Sequence, residues 1–312
     1  MSDAQLHGAW HDQCPPPAEW CRAVACQNAF RVQMGWAVTP IVWTLWGASS
    51  GDMVPTIVDA CVRRVKALLP VGWVLIYGTL EDYETAFGIN FAGDLASALR
   101  EASTGYRRKV LARVKDEVQP QVLYEYGGVW LDASVVLMHP VDTFFSVLDS
   151  RLQGFHCSWA GVTEGEVRPP LETWAMAVPP RHPIILGWLV EVRRLGAGGY
   201  RPIDCRRWYA ALSADEAAAV DAALHRHGGN NQLTTYVALE IGAAGRGELV
   251  APLRRGADAG MPASWLATGD GGIVGWQHPS RLERWLAAMR QETSDVIALK
   301  LFGEQRDMLR CG

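Results

Sequence analysis

The strongest constraint on this chain is a strand, helix, strand succession near its start. Ala37 to Trp46, AVTPIVWTLW, is a short apolar run rich in β-branched and aromatic residues, and Gly47 to Gly51, GASSG, ends it as a loop. From Pro55 to Leu69, the apolar Ile57, Val58, Cys61, Val62, Val65 and Leu68 recur at spacings of three and four, with Arg63, Arg64 and Lys66 between them. That is the pattern of an amphipathic helix. Pro70 stops it, and Gly72 to Tyr77 supplies a second buried strand. Two buried strands joined by a helix require a parallel crossover, so the sequence predicts an α/β fold around a mainly parallel central sheet flanked by helices.

Later segments extend this pattern. Helices are expected within 79–103 and 107–126, then a three-residue apolar strand, Val129 to Leu131, running into Asp132. Pro120 sits badly inside a helix, so a turn or kink is expected there. Val135 to Met138 is another apolar run, 173–178 reads as a strand, and helices are expected at 183–195, 213–226 and 281–292. No internal repeat or linker divides the chain. Residues 1–36, with Pro15, Pro16 and Pro17, read as an extension, and 37–312 as one domain with halves at 37–145 and 146–312.

Composition excludes several classes. The 312 residues carry 29 basic and 33 acidic side chains, a formal net charge of −4, which gives no global positive field to gather nucleic acid. The seven cysteines are odd in number and contain no CxxC pair, more like scattered thiols in a reducing compartment than a disulfide framework. No apolar run reaches the roughly 18 residues of a membrane span, and the first residues lack a signal pattern. The expectation is a cytoplasmic protein with no transmembrane segment, with peripheral attachment to a membrane left open. No GxGxxG follows the first strand, which removes the basis for a nicotinamide-dependent oxidoreductase.

The segment that carries chemistry is Asp116 to Ser134, DEVQPQVLYEYGGVWLDAS. A helix ends at Gly127-Gly128, where a left-handed turn favours glycine, and a short strand then delivers Asp132 to a loop of two small residues. In an open α/β sheet ligands lie outside the carboxyl ends of the strands, which is where Asp132 falls. A carboxylate there, with nothing bulky beside it, leaves room for a diphosphate and its cation.

These residues resemble the capsular-polysaccharide-synthesis glycosyltransferases, cousins of the initiating mannosyltransferases and of the glucosylating clostridial toxins. The shared pattern is an Asp, an Arg three residues later, then Leu-Tyr-x-Tyr-Gly-Gly-x-Trp/Tyr-Leu/Ile-Asp-x-Asp/Ser/Thr. Asp116 and the run Leu123 to Ser134 match it, as do Ile41 to Gly47, Cys61, Glu172 to Ala177 and Arg181-His182-Pro183. The resemblance covers about 37–190, with a faint continuation near Ile297 to Leu301. It implies a GT-A-like fold and transfer of a sugar from a nucleotide diphosphosugar, UDP-linked by expectation and retaining, to a glycan or other hydroxyl acceptor. Mn²⁺ or Mg²⁺ would assist.

By that resemblance Asp132 and Asp116 are the catalytic candidates. Trp43 or Thr44 would border the base, Asp116 would hold ribose or sugar hydroxyls, and Asp132 would face the diphosphate through the cation. Gln119, Gly127, Gly128 and Lys300 complete the expected donor site, and Asp132, Ser134 and His278 the expected metal ligands. Two positions depart from the pattern: Ser134 stands where the wider group has a second aspartate, and Gln119 where the pattern has Arg. A catalytically inactive nucleotide-sugar-binding or carbohydrate-binding relative is the alternative those departures leave open.

Other candidates each have an ordinary structural explanation. Trp276 and His278 lie in a Gly-rich loop; His7, His11 and Cys14 have a spacing a metal would accept but fall short of a zinc signature. His225 and His227 suit a helix C-terminus, Asn230, Asn231 and Gln232 suit polar loop filling, and Trp174 suits an apolar core strand.

Overall fold

A computed structural model describes residue 25 and residues 39–48, 51–89, 104–143, 145–146, 150–156, 171–196, 214, 218, 234–243, 250–252 and 298–300. The element order is β1 (Ile41–Leu45), α1 (Thr56–Ala67), β2 (Val74–Gly78), α2 (Leu80–Phe87), α3 (Thr104–Tyr126), β3 (Gly128–Leu131), β4 (Val135–Leu137), β5 (Leu152–His156), β6 (Leu171–Val178), α4 (Pro183–Gly196), α5 (Thr234–Ala243), β7 (Val250–Pro252) and β8 (Ala298–Lys300). The expected helices at 213–226 and 281–292 lie wholly or largely outside the described residues, as does nearly all of the expected extension. Ala25, within that extension, is buried in the core.

Among the described residues six strands form one sheet in the order β2-β1-β3-β6-β5-β7. β1 is parallel to β2 and β3, β5 is parallel to β7, and β6 is antiparallel to both of its neighbours. Five strands therefore share one direction and β6 alone is reversed, so the mixed α/β architecture is mainly parallel, as expected. β4 and β8 pair antiparallel in a second, two-stranded sheet.

The alternation of side chains along β1 explains the layers. Ile41, Trp43 and Leu45 point to one face and pack with α2, α3, α4 and α5 through Leu80, Val114, Val118, Ile185 and Leu239. Val42 points to the other, where it meets Val65 of α1 together with Val129, Leu131, Val135 and Leu137. Strands covered on both faces lose the polar alternation of a solvent-facing sheet, which is why β1 reads as a continuous apolar run.

α3 runs through Pro120 instead of ending there. Proline lacks the N–H that the carbonyl of Asp116 would accept, yet Val114, Val118 and Val122 on the same helix are fully buried against the sheet. Burial of this stripe, at about 1.5–3 kcal/mol per side chain, offsets a single missing hydrogen bond.

The turn from α3 into β3 is fixed by close approach. Gly127 and Gly128 have φ of 65° and 102°. A Cβ on Gly127 would stand 2.6 Å from Pro180, and one on Gly128 would stand 2.6 Å from the carbonyl oxygen of Ile41. Arg181, itself at φ 60°, donates its N–H to the Tyr124 carbonyl at 2.7 Å. Its guanidinium lies over the Tyr124 ring and pairs with Glu125, securing the lower end of α3.

Candidate active site at the carboxyl edge of β1 and β3

From Asp116 to Tyr126 the helix descends by about 15 Å, and from Gly128 to Asp132 the strand climbs back by about 13 Å. The two lengths nearly match, so the sharp glycine turn returns Asp132 to the level of Lys115 and Asp116. The Lys115 ammonium lies 3.2 Å from Asp116 Oδ1 and 3.2 Å from Asp132 Oδ1. The side chains of Lys115, Asp116 and Asp132 are 18%, 17% and 13% exposed, a charged cluster reaching solvent along one edge.

Asp132 is held from several directions. Trp130 Nε1 donates to Asp132 Oδ1 at 2.9 Å, the Asp132 N–H donates to the Trp174 carbonyl at 2.9 Å, and the Asp132 carbonyl accepts from Val135 N at 3.0 Å. Its neighbour Ala133 packs against Val58 and Val62 of α1. Burial pushes the Asp116 carboxyl above its ordinary value, against the pull of Lys115 and Arg113, and the Asp132 charge pushes the same way as burial. For Lys115, burial works to lower the pKa, but the two carboxylates outweigh it and the ammonium is held well above its ordinary value.

The cluster stands at the switch point of the sheet. The chain leaves β1 for β2 on one side and returns past β1 to β3 on the other, with α1 packed on one face and α2 and α3 on the opposite face. Between two such parallel strands a crevice opens at their carboxyl ends, the general ligand position of open α/β sheets.

Several sequence candidates meet here, and others do not. Asp116, Asp132 and Ser134 share this edge, Ser134 being buried in the turn. The backbone of Lys300 on β8 pairs with Val135, bringing the far end of the chain to the residue that follows the Asp132 turn. Thr44, near the end of β1, is buried, and its Oγ1 has no hydrogen-bond partner among the described residues.

Gly127 and Gly128, expected in the donor site, are at a distance from the acids. They stand at the amino end of β3, the opposite end from Asp132, and their contacts are Pro180, Ile41 and Trp43. Trp43 is placed differently from expectation too. It is fully enclosed among Tyr83, Phe87 and Tyr126, and its Nε1 donates to the Gly127 carbonyl at 2.7 Å, so its ring presents no open face to a base.

Gln119 is fully buried. Its Nε2 donates to the Thr173 carbonyl at 2.6 Å, and its Oε1 has no partner among the described residues. Trp174 is a core side chain of β6, in keeping with its ordinary reading. His278, Trp276, His7, His11, Cys14, His225, His227, Asn230, Asn231 and Gln232 lie outside the described residues.

Two functional candidates were missed by sequence reasoning. Lys115 sits beside Asp116 in the sequence, but only its reach across to β3 reveals a role. Trp46 closes β1, is half-buried, and packs against the small cluster of Val58, Val62 and Ala133 next to Asp132. Its position just before the loop glycine Gly47 was the available signal.

No family model matches the chain, and no curated protein matches it. Among solved structures, a chain named PaToxG Glycosyltransferase is similar, with 15% identity over 72% of this chain and 88% of that chain, at a TM-score of 0.33. A score of that size does not establish a shared fold.

The donor chemistry of the cluster suits a hard divalent ion. Mg²⁺ characteristically takes one or two carboxylates and completes its shell with substrate phosphates and water, and Asp116 and Asp132 supply two carboxylates that meet at one ammonium. Among the described residues no group of three His, Cys, Asp or Glu side chains stands together. An ion here would share its shell with a ligand instead of being caged by protein.

Proposed function

We propose that the chain is a glycosyltransferase of GT-A-like fold that binds a nucleotide diphosphosugar at the carboxyl edge of β1 and β3 and transfers the sugar to a hydroxyl of a glycan or related acceptor. The observation that supports this most directly is the placement of Asp132 and Asp116 around one ammonium at the switch point of the sheet. The sequence around it, Asp116 with Leu123 to Ser134, resembles the capsular-polysaccharide branch, in which a DXD-like motif serves UDP sugars with retention.

In this reading Asp132 faces the diphosphate, fixed by Trp130 and by its backbone bond to Trp174. Asp116, expected from the sequence to hold sugar or ribose hydroxyls, is in this reading the second acid facing the cation, and Trp46 borders the base from the end of β1. Asp132 and Asp116 are the metal-facing residues, and a bound Mn²⁺ or Mg²⁺ would neutralise charge gathering on the leaving diphosphate. Without the ion, Lys115 bridges the two carboxylates. Lys300 approaches the same edge along β8 and is the candidate basic partner for phosphate. No protein nucleophile is required by this scheme.

Incubating the chain with a panel of UDP sugars and Mn²⁺, and following release of UDP, tests the reading. Turnover that disappears in Asp132→Asn while the fold is retained is the expected result; undiminished turnover in that variant sinks it.

A second reading has its own support. Gln119 and Ser134 are neutral side chains, the one committed to the Thr173 carbonyl and the other buried, so neither supplies a charge to a donor. A non-catalytic nucleotide-sugar binder of the same architecture accommodates both facts. Binding of UDP with no release from any sugar nucleotide in the panel would select it.

A further inference from the structure

We propose that Lys115 is the resident cation of the Asp116 and Asp132 pair, and that the ammonium and a divalent ion occupy the pair in turn and never together. The inference rests on reading this edge as the cation end of the donor site. Its ground is geometric: one Nζ stands 3.2 Å from an oxygen of each carboxylate.

A divalent ion of the Mg²⁺ class binds carboxylate oxygens at about 2.0–2.1 Å, so an ion drawing on both acids takes the space that Nζ now holds. Two cations within a few ångströms in a cleft mostly shielded from water repel strongly. The lysine has little freedom to yield by small adjustments. Its neighbours Val114 and Val118 are fully buried, so α3 cannot shift to draw it back, and the side chain must swing away by rotation about its own bonds. Swung outward, the ammonium remains at the carboxyl edge, where the phosphates of the proposed donor lie. Exchange of one cation for another would leave the carboxylates satisfied in both states, whereas a buried carboxylate pair without either would be costly.

Metal affinity measured with Mn²⁺ alone, without nucleotide, tests the exchange on the full chain by electron paramagnetic resonance of the free ion. Lys115→Met is expected to bind Mn²⁺ at least tenfold more tightly than the unaltered chain, and Lys115→Arg, which keeps the charge, to stay as weak. Equal or weaker binding by Lys115→Met overturns the inference. Should the methionine variant fail to fold, Lys115→Gln carries the same expectation and the same refutation. In the unaltered chain, Mn²⁺ at saturation should speed acetylation of Lys115 at least threefold as the amine leaves the acids, read by mass spectrometry; an unchanged rate at demonstrated saturation overturns it. UDP titration in the presence of Mn²⁺ separates the two readings: a chain that binds UDP while Lys115→Met gains no Mn²⁺ affinity loses the exchange alone, and a chain that binds no UDP loses the donor site.

Discussion

The ammonium of Lys115 and the carboxylate of Asp132 lie 3.2 Å apart although one belongs to a helix and the other to the residue just past the strand that follows it. Both ends of the contact are fixed by packing, since α3 is anchored by its valine stripe and Asp132 by Trp130. The contact therefore reports the geometry of the whole α3 and β3 unit, and several consequences can be measured.

Removing the ammonium takes from two carboxylates the cation they share. Lys115→Met is expected to lower stability by on the order of 3 kcal/mol at neutral pH, the scale for breaking a mostly buried pair at one partner. Urea unfolding, compared at constant denaturant slope, checks it. A change below 0.5 kcal/mol, the order expected of an ordinary surface site, contradicts the pairing.

The pH dependence of that loss has a definite sign. The pKa of Lys115 is raised in the folded chain, so its stabilising contribution is complete below its ordinary value of 10.5 and fades as pH rises through the folded value. Asp116 is an acid whose folded pKa is also raised, above 3.8, so its ionised form opposes folding and the opposition is relieved as pH falls through the folded value. Lys115→Met removes the strongest charge that favours ionised Asp116, ahead of Arg113. The stability gap between variant and unaltered chain should shrink from pH 7 to pH 4, as protonated Asp116 no longer needs a counter-ion. A gap that widens in acid would contradict this account.

Gly127→Ala combines a left-handed backbone with an overlap on Pro180. The left-handed conformation costs about 1–2 kcal/mol and overpacking about 1–3 kcal/mol more, so the thermal midpoint should fall by several degrees. The folded fraction should bind UDP as the unaltered chain does, because the glycine stands at the far end of β3. Weakened UDP affinity at full folding would return Gly127 to the donor site.

The tryptophans of β1 separate core from site. Trp43→Phe loses the bond to the Gly127 carbonyl and should cost about 1 kcal/mol of stability without changing UDP affinity. Trp46→Ala should weaken UDP binding by about 1–3 kcal/mol, the scale of stacking between a base and an aromatic ring, with a smaller effect on stability. Calorimetric titration of both variants decides it; the reverse pattern would assign the base to Trp43.

Much of the architecture was legible because period and punctuation are local. The apolar run of β1, the three-and-four spacing of α1, the stop at Pro70 and the Gly127-Gly128 turn all record backbone preferences that need no distant partner. At Pro120 local preference did not decide: its cost is real, but the helix runs through it because the burial of Val114, Val118 and Val122 outweighs that cost.

By itself the sequence determined that strands and helices alternate, that a glycine turn follows α3, and that Asp132 ends a strand at the edge where α/β sheets hold ligands. Tertiary structure alone decided that β6 runs against its neighbours, that β8 comes back to β4, that Trp43 is enclosed while Trp46 stays at the rim, and that Lys115 spans two acids. The physical reason is that periodicity specifies which residues share a face, whereas register and packing direction specify what that face meets.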